Sequence, residues 1–242
     1  MDSGCGGLSV LRELRVLLPD SRYVYYADNA NCPYGDKTRE FITDRCTRLT
    51  RALLSKGADV IVVACNTATG ASIATLRREF DIPFVGMEPA VKPAALGTRS
   101  GVVGVLATAG TLKGSKYLDT KGRFEDSVRI EEMVGRGFVE LVESGQLSGP
   151  HAEEVVSRSL KPLLEAGADT IVLGCTHYPF LLPVMTKIAG PGIRFIDPAP
   201  AVARRTRDVL LETGIAPESE TPGTELLSSG SGEVLNQLFA SL

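Results

Sequence analysis

Apolar and polar residues follow two rhythms along this chain. Residues 22–28 ("RYVYYAD"), 59–65 ("DVIVVAC"), 82–87 ("IPFVGM"), 101–108 ("GVVGVLAT"), 128–133 ("VRIEEM"), 169–175 ("DTIVLGC") and 193–197 ("IRFID") are short apolar runs that predict strands. Between them, residues 37–57, 66–80, 138–143, 151–165 and the stretch after Pro179 place apolar side chains at helical spacing. "DVIVVAC" and "DTIVLGC" are apolar without alternation, the pattern of strands covered on both faces of a parallel sheet. Strands alternating with helices predict an α/β fold built from open parallel sheets. The tail adds a helix (201–214), a strand (224–230) and a last helix (233–242), expected to pack back on the sheets.

The pattern also repeats. "GADVIVVACNTATG" (57–70) returns as "GADTIVLGCTHYPF" (167–180), 110 residues on, and "FVGMEPAV" (84–91) returns as "FIDPAPAV" (195–202), 111 residues on. Several matched features in one order indicate an internal duplication. Two pseudo-symmetric open parallel-sheet domains are therefore expected, with a site in the cleft between them. The first would span 1–92, completed by 203–242, and the second 93–202.

Composition narrows the function. The 242 residues are 43% hydrophobic and 23% charged, with a net charge of −3 and no dense basic stripe, which argues against nucleic acid or an anionic membrane as partner. No apolar run reaches the ~18–20 residues of a membrane span, and "MDSGCGGLSV" lacks the order of a signal peptide. Five cysteines without a framework spacing suit a reducing cytoplasm.

Cys65 and Cys175 stand at the carboxyl ends of the two repeated strands, where open α/β sheets bind ligands. Each is followed by small hydroxyl or amide residues expected to open a helix whose free N–H groups can hold a carboxylate. Two such units facing each other put one thiol on each side of a ligand. Opposed thiols suggest proton removal from one face of a carbon and delivery to the other, with a neighbouring carboxylate or imidazole tuning each thiol. His177 is close enough to serve Cys175, whereas His151 reads as a surface residue. "DSGCGG" (2–7) is a tight glycine turn that presents Asp2 and Ser3 to a ligand, and "CPYGDK" (32–37) is a turn expected to aim Tyr34 outward.

These residues match a known family. "DSGCGGLSVL", "PYGDK", "ACNTAT", "LATAGT" and "GCTHYPFL" resemble, in order, motifs of the glutamate racemases in the aspartate/glutamate racemase superfamily. "GCTHYP" is specific for the glutamate branch, because aspartate racemases usually carry another residue at the His177 position. The resemblance implies cofactor-free interconversion of L- and D-glutamate, supply of D-glutamate for peptidoglycan, no metal, and a homodimer. It implies catalytic thiols at Cys65 and Cys175, assisted by Asp2 and His177. Substrate contacts would come from Ser3, Tyr34, Gly35, Asn66, Thr67 and Thr176, with Thr108 and Thr111 lining the same pocket. Glu143 sits where the family often has an auxiliary acid near His177, although the Cys-Pro that usually precedes it is absent. Cys5 and Cys32 read as ordinary small residues near the pocket, and Cys46 as core.

One departure concerns the start. Family members carry a short apolar strand before the DSG motif, and here only Met1 precedes Asp2. The first domain is expected to lack a central strand and Asp2 to lie on a fraying terminus. Other readings remain. A racemase of aspartate, or a catalytically impaired regulatory protein on a racemase fold, would share these motifs. A metal-binding or thiol-redox protein would need CxxC spacing, which no pair of cysteines has.

Overall fold

The computed structural model describes residues 1–242. In chain order the strands are β1 (Arg22–Ala27), β2 (Ile61–Val63), β3 (Phe84–Gly86), β4 (Val102–Ala107), β5 (Arg129–Val134), β6 (Thr170–Gly174), β7 (Arg194–Ile196) and β8 (Gly223–Ser228). The helices are α1 (Leu8–Leu17), α2 (Arg39–Ser55), α3 (Asn66–Glu79), α4 (Val91–Gly97), α5 (Ala109–Leu112), α6 (Ser115–Gly122), α7 (Phe138–Glu143), α8 (Pro150–Glu165), α9 (Leu182–Ala189), α10 (Ala199–Thr213) and α11 (Glu233–Ala240). No helix is long and apolar enough to cross a membrane.

Every strand pairing is parallel, as the unbroken apolar runs predict. The second unit is a four-stranded sheet in the order β5-β4-β6-β7. All five residues of β6 are buried, which accounts for its lack of alternation. The duplication is visible in the ladders. Ile61 pairs with Phe84 in the first unit, and their repeat counterparts Ile171 and Phe195 pair in the second.

The first unit is divided. β1 pairs with β8 and β2 pairs with β3, but the two pairs do not meet. Met1 and Asp2 alone bridge them. Asp2 N–H donates to Tyr26 O at 3.0 Å and Asp28 N–H donates to Asp2 O at 3.0 Å. On the other side the Met1 ammonium donates to Val62 O at 2.9 Å, and Ala64 N–H donates to Met1 O at 2.9 Å. Asp2 makes an isolated parallel bridge with Ala27 and, contrary to expectation, is not frayed. It is buried and held from both sides.

The tail strand β8 extends the first unit, whereas α11 joins a core shared by both. That core gathers Leu8 of α1, Phe138 of α7, Tyr178, and Leu235 and Leu238 of α11. The divisions at 92/93 and 202/203 fall inside α4 and α10, and each helix packs as one body, α4 on β4 and β6, α10 on α1 and β3. Helices α4 to α6 were not anticipated. They are short, and α6 ("SKYLDTKG") carries one buried side chain, Tyr117, so its sequence has no apolar stripe to read.

Candidate active site

Cys65 follows β2 and caps α3, its Sγ accepting the Ala68 N–H at 3.4 Å. The positive end of that helix favours a thiolate. Burial works more strongly the other way and, with the nearby charge of Asp2, pushes the Cys65 thiol well up. It therefore rests as a thiol, donating to Ser3 Oγ at 3.8 Å. Cys175 follows β6 at the repeat-related place, with Sγ 3.7 Å from Nδ1 of His177. The expected helix start after Cys175 is absent. A short 3-10 turn, Tyr178–Leu181, intervenes before α9, because prolines at 179 and 183 punctuate the segment.

The two thiols line one cleft between the units, together with Ser3, Gly35, Asn66, Thr67 and Thr108. Its free space is about 10 Å³, roughly one water, so the lining must move to admit a ligand the size of an amino acid. Beside the cleft, three hydroxyls join the units in a triangle. Thr67 Oγ1 lies 2.9 Å from Thr108 Oγ1 and 3.2 Å from Thr111 Oγ1, and Thr108 lies 2.9 Å from Thr111. Asn66 is the informative neighbour. It is buried, yet neither Oδ1 nor Nδ2 has a partner. An unpaired buried amide costs about 1–3 kcal/mol, and such a group at a cleft is set up for a ligand.

Behind each thiol stands a buried polar network. Asp2 accepts from Gly4 N–H at 3.0 Å and from Thr176 Oγ1 at 3.1 Å, so it links the units. Burial raises its carboxyl above the usual range against the opposing pull of His177. Asp2 acts on Cys65 through charge, and Ser3 is the thiol's bonded neighbour. The hydroxyl of Thr176, expected at the substrate, donates to Asp2 across the units.

His177 is 1% exposed, and its Nε2 lies 2.6 Å from Glu143 Oε1. Glu143 also accepts from Cys5 N–H at 2.6 Å and Asn29 Nδ2 at 2.7 Å. Burial alone would raise Glu143, but these donors and the imidazole outweigh it and hold the carboxyl at about 2. Burial likewise opposes charge on His177, and its bonds to Cys175, Cys32 and Glu143 reverse that and raise it well above the ordinary value. A side chain at Gly4 would collide with Glu143, and one at Gly6 with the His177 ring, which explains two glycines of "DSGCGG". Cys5 and Cys32 are more than fillers. Cys5 Sγ lies 3.5 Å from Glu143 Oε2, and Cys32, Glu143 and His177 bring ligand-type atoms within 4.8 Å of one another. Linear spacing holds no trace of that trio, and the 2.6 Å bond engages two of its members with each other.

Tyr34 requires a correction. It does not point outward. It is 2% exposed, and its hydroxyl donates to Asp28 Oδ2 at 2.5 Å. Asp28 in turn takes a two-pronged bond from Arg45 of α2, at 2.9 and 2.7 Å. Tyr34 thus walls the cleft and anchors its loop, leaving Gly35 facing Thr108. Neither Asp28 nor Arg45 was singled out from sequence, because a strand-end aspartate and a helix arginine are ordinary until the fold joins them. His151 is exposed and Cys46 is core, as read.

The Glu143–His177 pair has a pH signature. A carboxyl held at about 2, against ~4.3 when free, stabilises the fold fully above pH ~4.3 and loses that contribution as pH falls toward 2. The raised histidine contributes below pH ~6.5 and loses its share as pH rises through its folded value. Glu143→Gln should therefore destabilise the protein by about 1–2 kcal/mol at pH 6, with the deficit shrinking by pH 3. Urea unfolding at both pH values measures it, and a constant deficit would mean that Glu143 acts by shape alone.

Comparison with known proteins agrees with this geometry. The family model described as Asp/Glu/Hydantoin racemase matches residues 7–206. A glutamate racemase of Methylococcus capsulatus is 48% identical over 242 residues, covering 100% of this chain and 89% of that one. The structure of Escherichia coli glutamate racemase, in complex with L-glutamate and the activator UDP-MurNAc-ala, superposes with a TM-score of 0.88 at 38% identity, covering 99% of this chain and 92% of that one. A glutamate racemase isoform of Bacillus anthracis gives a TM-score of 0.85 at 29% identity, over 98% and 90% of the two chains. By its motifs, its paired α/β units and these matches, the chain belongs to the Asp/Glu/hydantoin racemase family.

Proposed function

We propose that this protein interconverts L- and D-glutamate without a cofactor, through two thiols acting on opposite faces of the α-carbon. The observation that carries the reading is Cys65 and Cys175 lining one cleft with the unpaired amide of Asn66. One thiolate removes the α-proton and becomes a thiol. The opposite thiol delivers its proton to the other face and becomes a thiolate. The proton count balances, and the enzyme is left ready for the reverse direction.

The substrate supplies part of the chemistry. Burial keeps Cys65 protonated in the free site, and an arriving ammonium group favours the thiolate by its charge. Asn66, Thr67, Ser3 and the loop at Gly35 are suited to the carboxylates. Asp2 would serve Cys65, and His177, 3.7 Å from Cys175, the second thiol. Glutamate is favoured over aspartate because the relatives at 48% and 38% identity are glutamate racemases. In a cell the product would feed peptidoglycan synthesis in the cytoplasm, from a homodimer.

The test is circular dichroism of each enantiomer of glutamate and aspartate with metal-free protein and no additive. Glutamate is expected to lose its signal from either side at equal limiting efficiency, with aspartate far slower. Activity that disappears with a chelator, or that prefers aspartate, overturns the reading.

A further inference from the structure

Three side chains from distant parts of the chain converge behind Cys175. Cys32 lies in the loop before Pro33 of the first unit, Glu143 ends α7, and His177 follows β6 of the second. Their sulfur, carboxylate and imidazole atoms lie within 4.8 Å of one another. Gly4 permits the convergence, since a Cβ there would collide with Glu143 and stand 3.1 Å from Cys32 Sγ. Asn29 Nδ2 donates to Glu143 Oε2 at 2.7 Å and fixes the carboxylate with Oε1 on the imidazole. Cys32 and Glu143 are half-buried and His177 is buried, so the trio is reached from its thiol and carboxylate side. Racemisation as read above gives the Cys32 thiol no part.

Thiolate, imidazole and carboxylate together are the donors of a borderline-soft divalent cation, zinc before all, whereas magnesium and calcium take oxygen alone. Donors around tetrahedral zinc stand about 3.4–3.6 Å apart. Small side-chain movements reach that spacing, and the His177–Glu143 bond of 2.6 Å has to open by only about 1 Å.

We propose that Cys32, Glu143 and His177 form an inhibitory site for a zinc-like divalent cation, with solvent in the fourth position. Binding is an exchange. The cation takes Cys32 as thiolate, Glu143 as carboxylate and His177 through Nε2, while the proton of the thiol and the proton held between Nε2 and Glu143 pass to solvent. The bonds to Glu143 and Cys32 that favour imidazolium leave a second proton on Nδ1. Two positive charges enter and two leave, so no net charge is buried. The consequence for Cys175 follows from the ring. With the cation on Nε2, Nδ1 keeps its proton at 3.7 Å from Cys175 Sγ and can no longer accept one from the thiol. The cation also ties the Cys32 loop of the first unit to two residues of the second. The inhibition rests on the reading of His177 as the partner of Cys175, and the binding does not.

The experiment titrates metal-free protein with Co²⁺, followed by its visible and thiolate charge-transfer absorption, and then displaces it with Zn²⁺. One equivalent is expected to bind. Cys32→Ser and Glu143→Gln should weaken it at least as much as the ~10–100-fold that losing a supporting partner costs, whereas Cys65→Ser and Cys175→Ser should keep the band. Zn²⁺ at about a hundredfold over its Kd should raise Tm by about 5–10 °C, and Cys32→Ser, if folded by its own Tm, should lose that rise. At the same Zn²⁺ concentration racemisation should fall about tenfold or more and return with a chelator, while Cys32→Ser, measured against its own uninhibited rate, should stay insensitive. No band, a band unchanged in Cys32→Ser, or a band lost in Cys65→Ser overturns the site. Binding through the trio with racemisation unaffected overturns its inhibitory role. A chain that binds Co²⁺ through the trio yet racemises nothing counts against the functional reading alone.

Discussion

Cys65→Ser and Cys175→Ser are each expected to lower racemisation by about 10³-fold or more, because a serine hydroxyl is too weak an acid and too weak a base near neutral pH to replace a thiol. The two failures should differ in kind. Each thiol faces a different polar environment, Cys65 against Ser3 and a helix start, Cys175 against His177. With Cys175→Ser the surviving thiolate should still exchange the α-proton of D-glutamate with deuterium from the solvent, and with Cys65→Ser exchange should favour L-glutamate. Racemisation kinetics alone cannot display this. The enantiomers have equal energy, so kcat/KM must be the same in both directions for any variant. Exchange into unreacted substrate in heavy water is free of that constraint. Equal residual exchange of both enantiomers in each variant would mean that one base works both faces, and the paired cysteines would then reflect ancestry alone.

The second large effect is expected from the groups behind the thiols. Asp2→Asn and His177→Asn should each cost about 10²–10⁴-fold in racemisation, the range for a positioned acid–base group, and each loss should lean to one enantiomer in the same exchange assay. His177 touches Cys175 directly, so its replacement should chiefly suppress exchange of L-glutamate. Asp2 reaches Cys65 through charge, and its replacement should chiefly suppress D-glutamate. Both side chains are buried, and unfolding measured in parallel separates lost chemistry from a lost fold. If Asp2→Asn depresses both enantiomers alike, the bond from Thr176 to Asp2 becomes its main role, and Asp2 is a brace between units.

Much of this was readable in one dimension because the repeat is written in the residues that make the sheets. Ile61 and Phe84, and their echoes Ile171 and Phe195, are apolar for the same reason and pair in the same way. Cys65 and Cys175 could be located because strand ends are where such sheets bind ligands. What stayed hidden depended on partners far along the chain. Tyr34 looks like a turn residue until Asp28 and Arg45 draw it inward. Glu143 lies 34 residues from the histidine it holds, and the idle amide of Asn66 is a property of its surroundings. The short helices α4 to α6 left no pattern because few of their side chains enter a core.

The threonine triangle bears on how turnover is timed. Thr67, Thr108 and Thr111 hold the units together with neutral hydroxyls, each able to give or take a bond. No ion takes part, so dissolved salt has little to screen there, and no member titrates in the working range. A substrate carboxylate can take over the bonds the hydroxyls make to one another, so parting the units is an exchange of partners. If that parting limits the rate, turnover should follow the viscosity of the solvent.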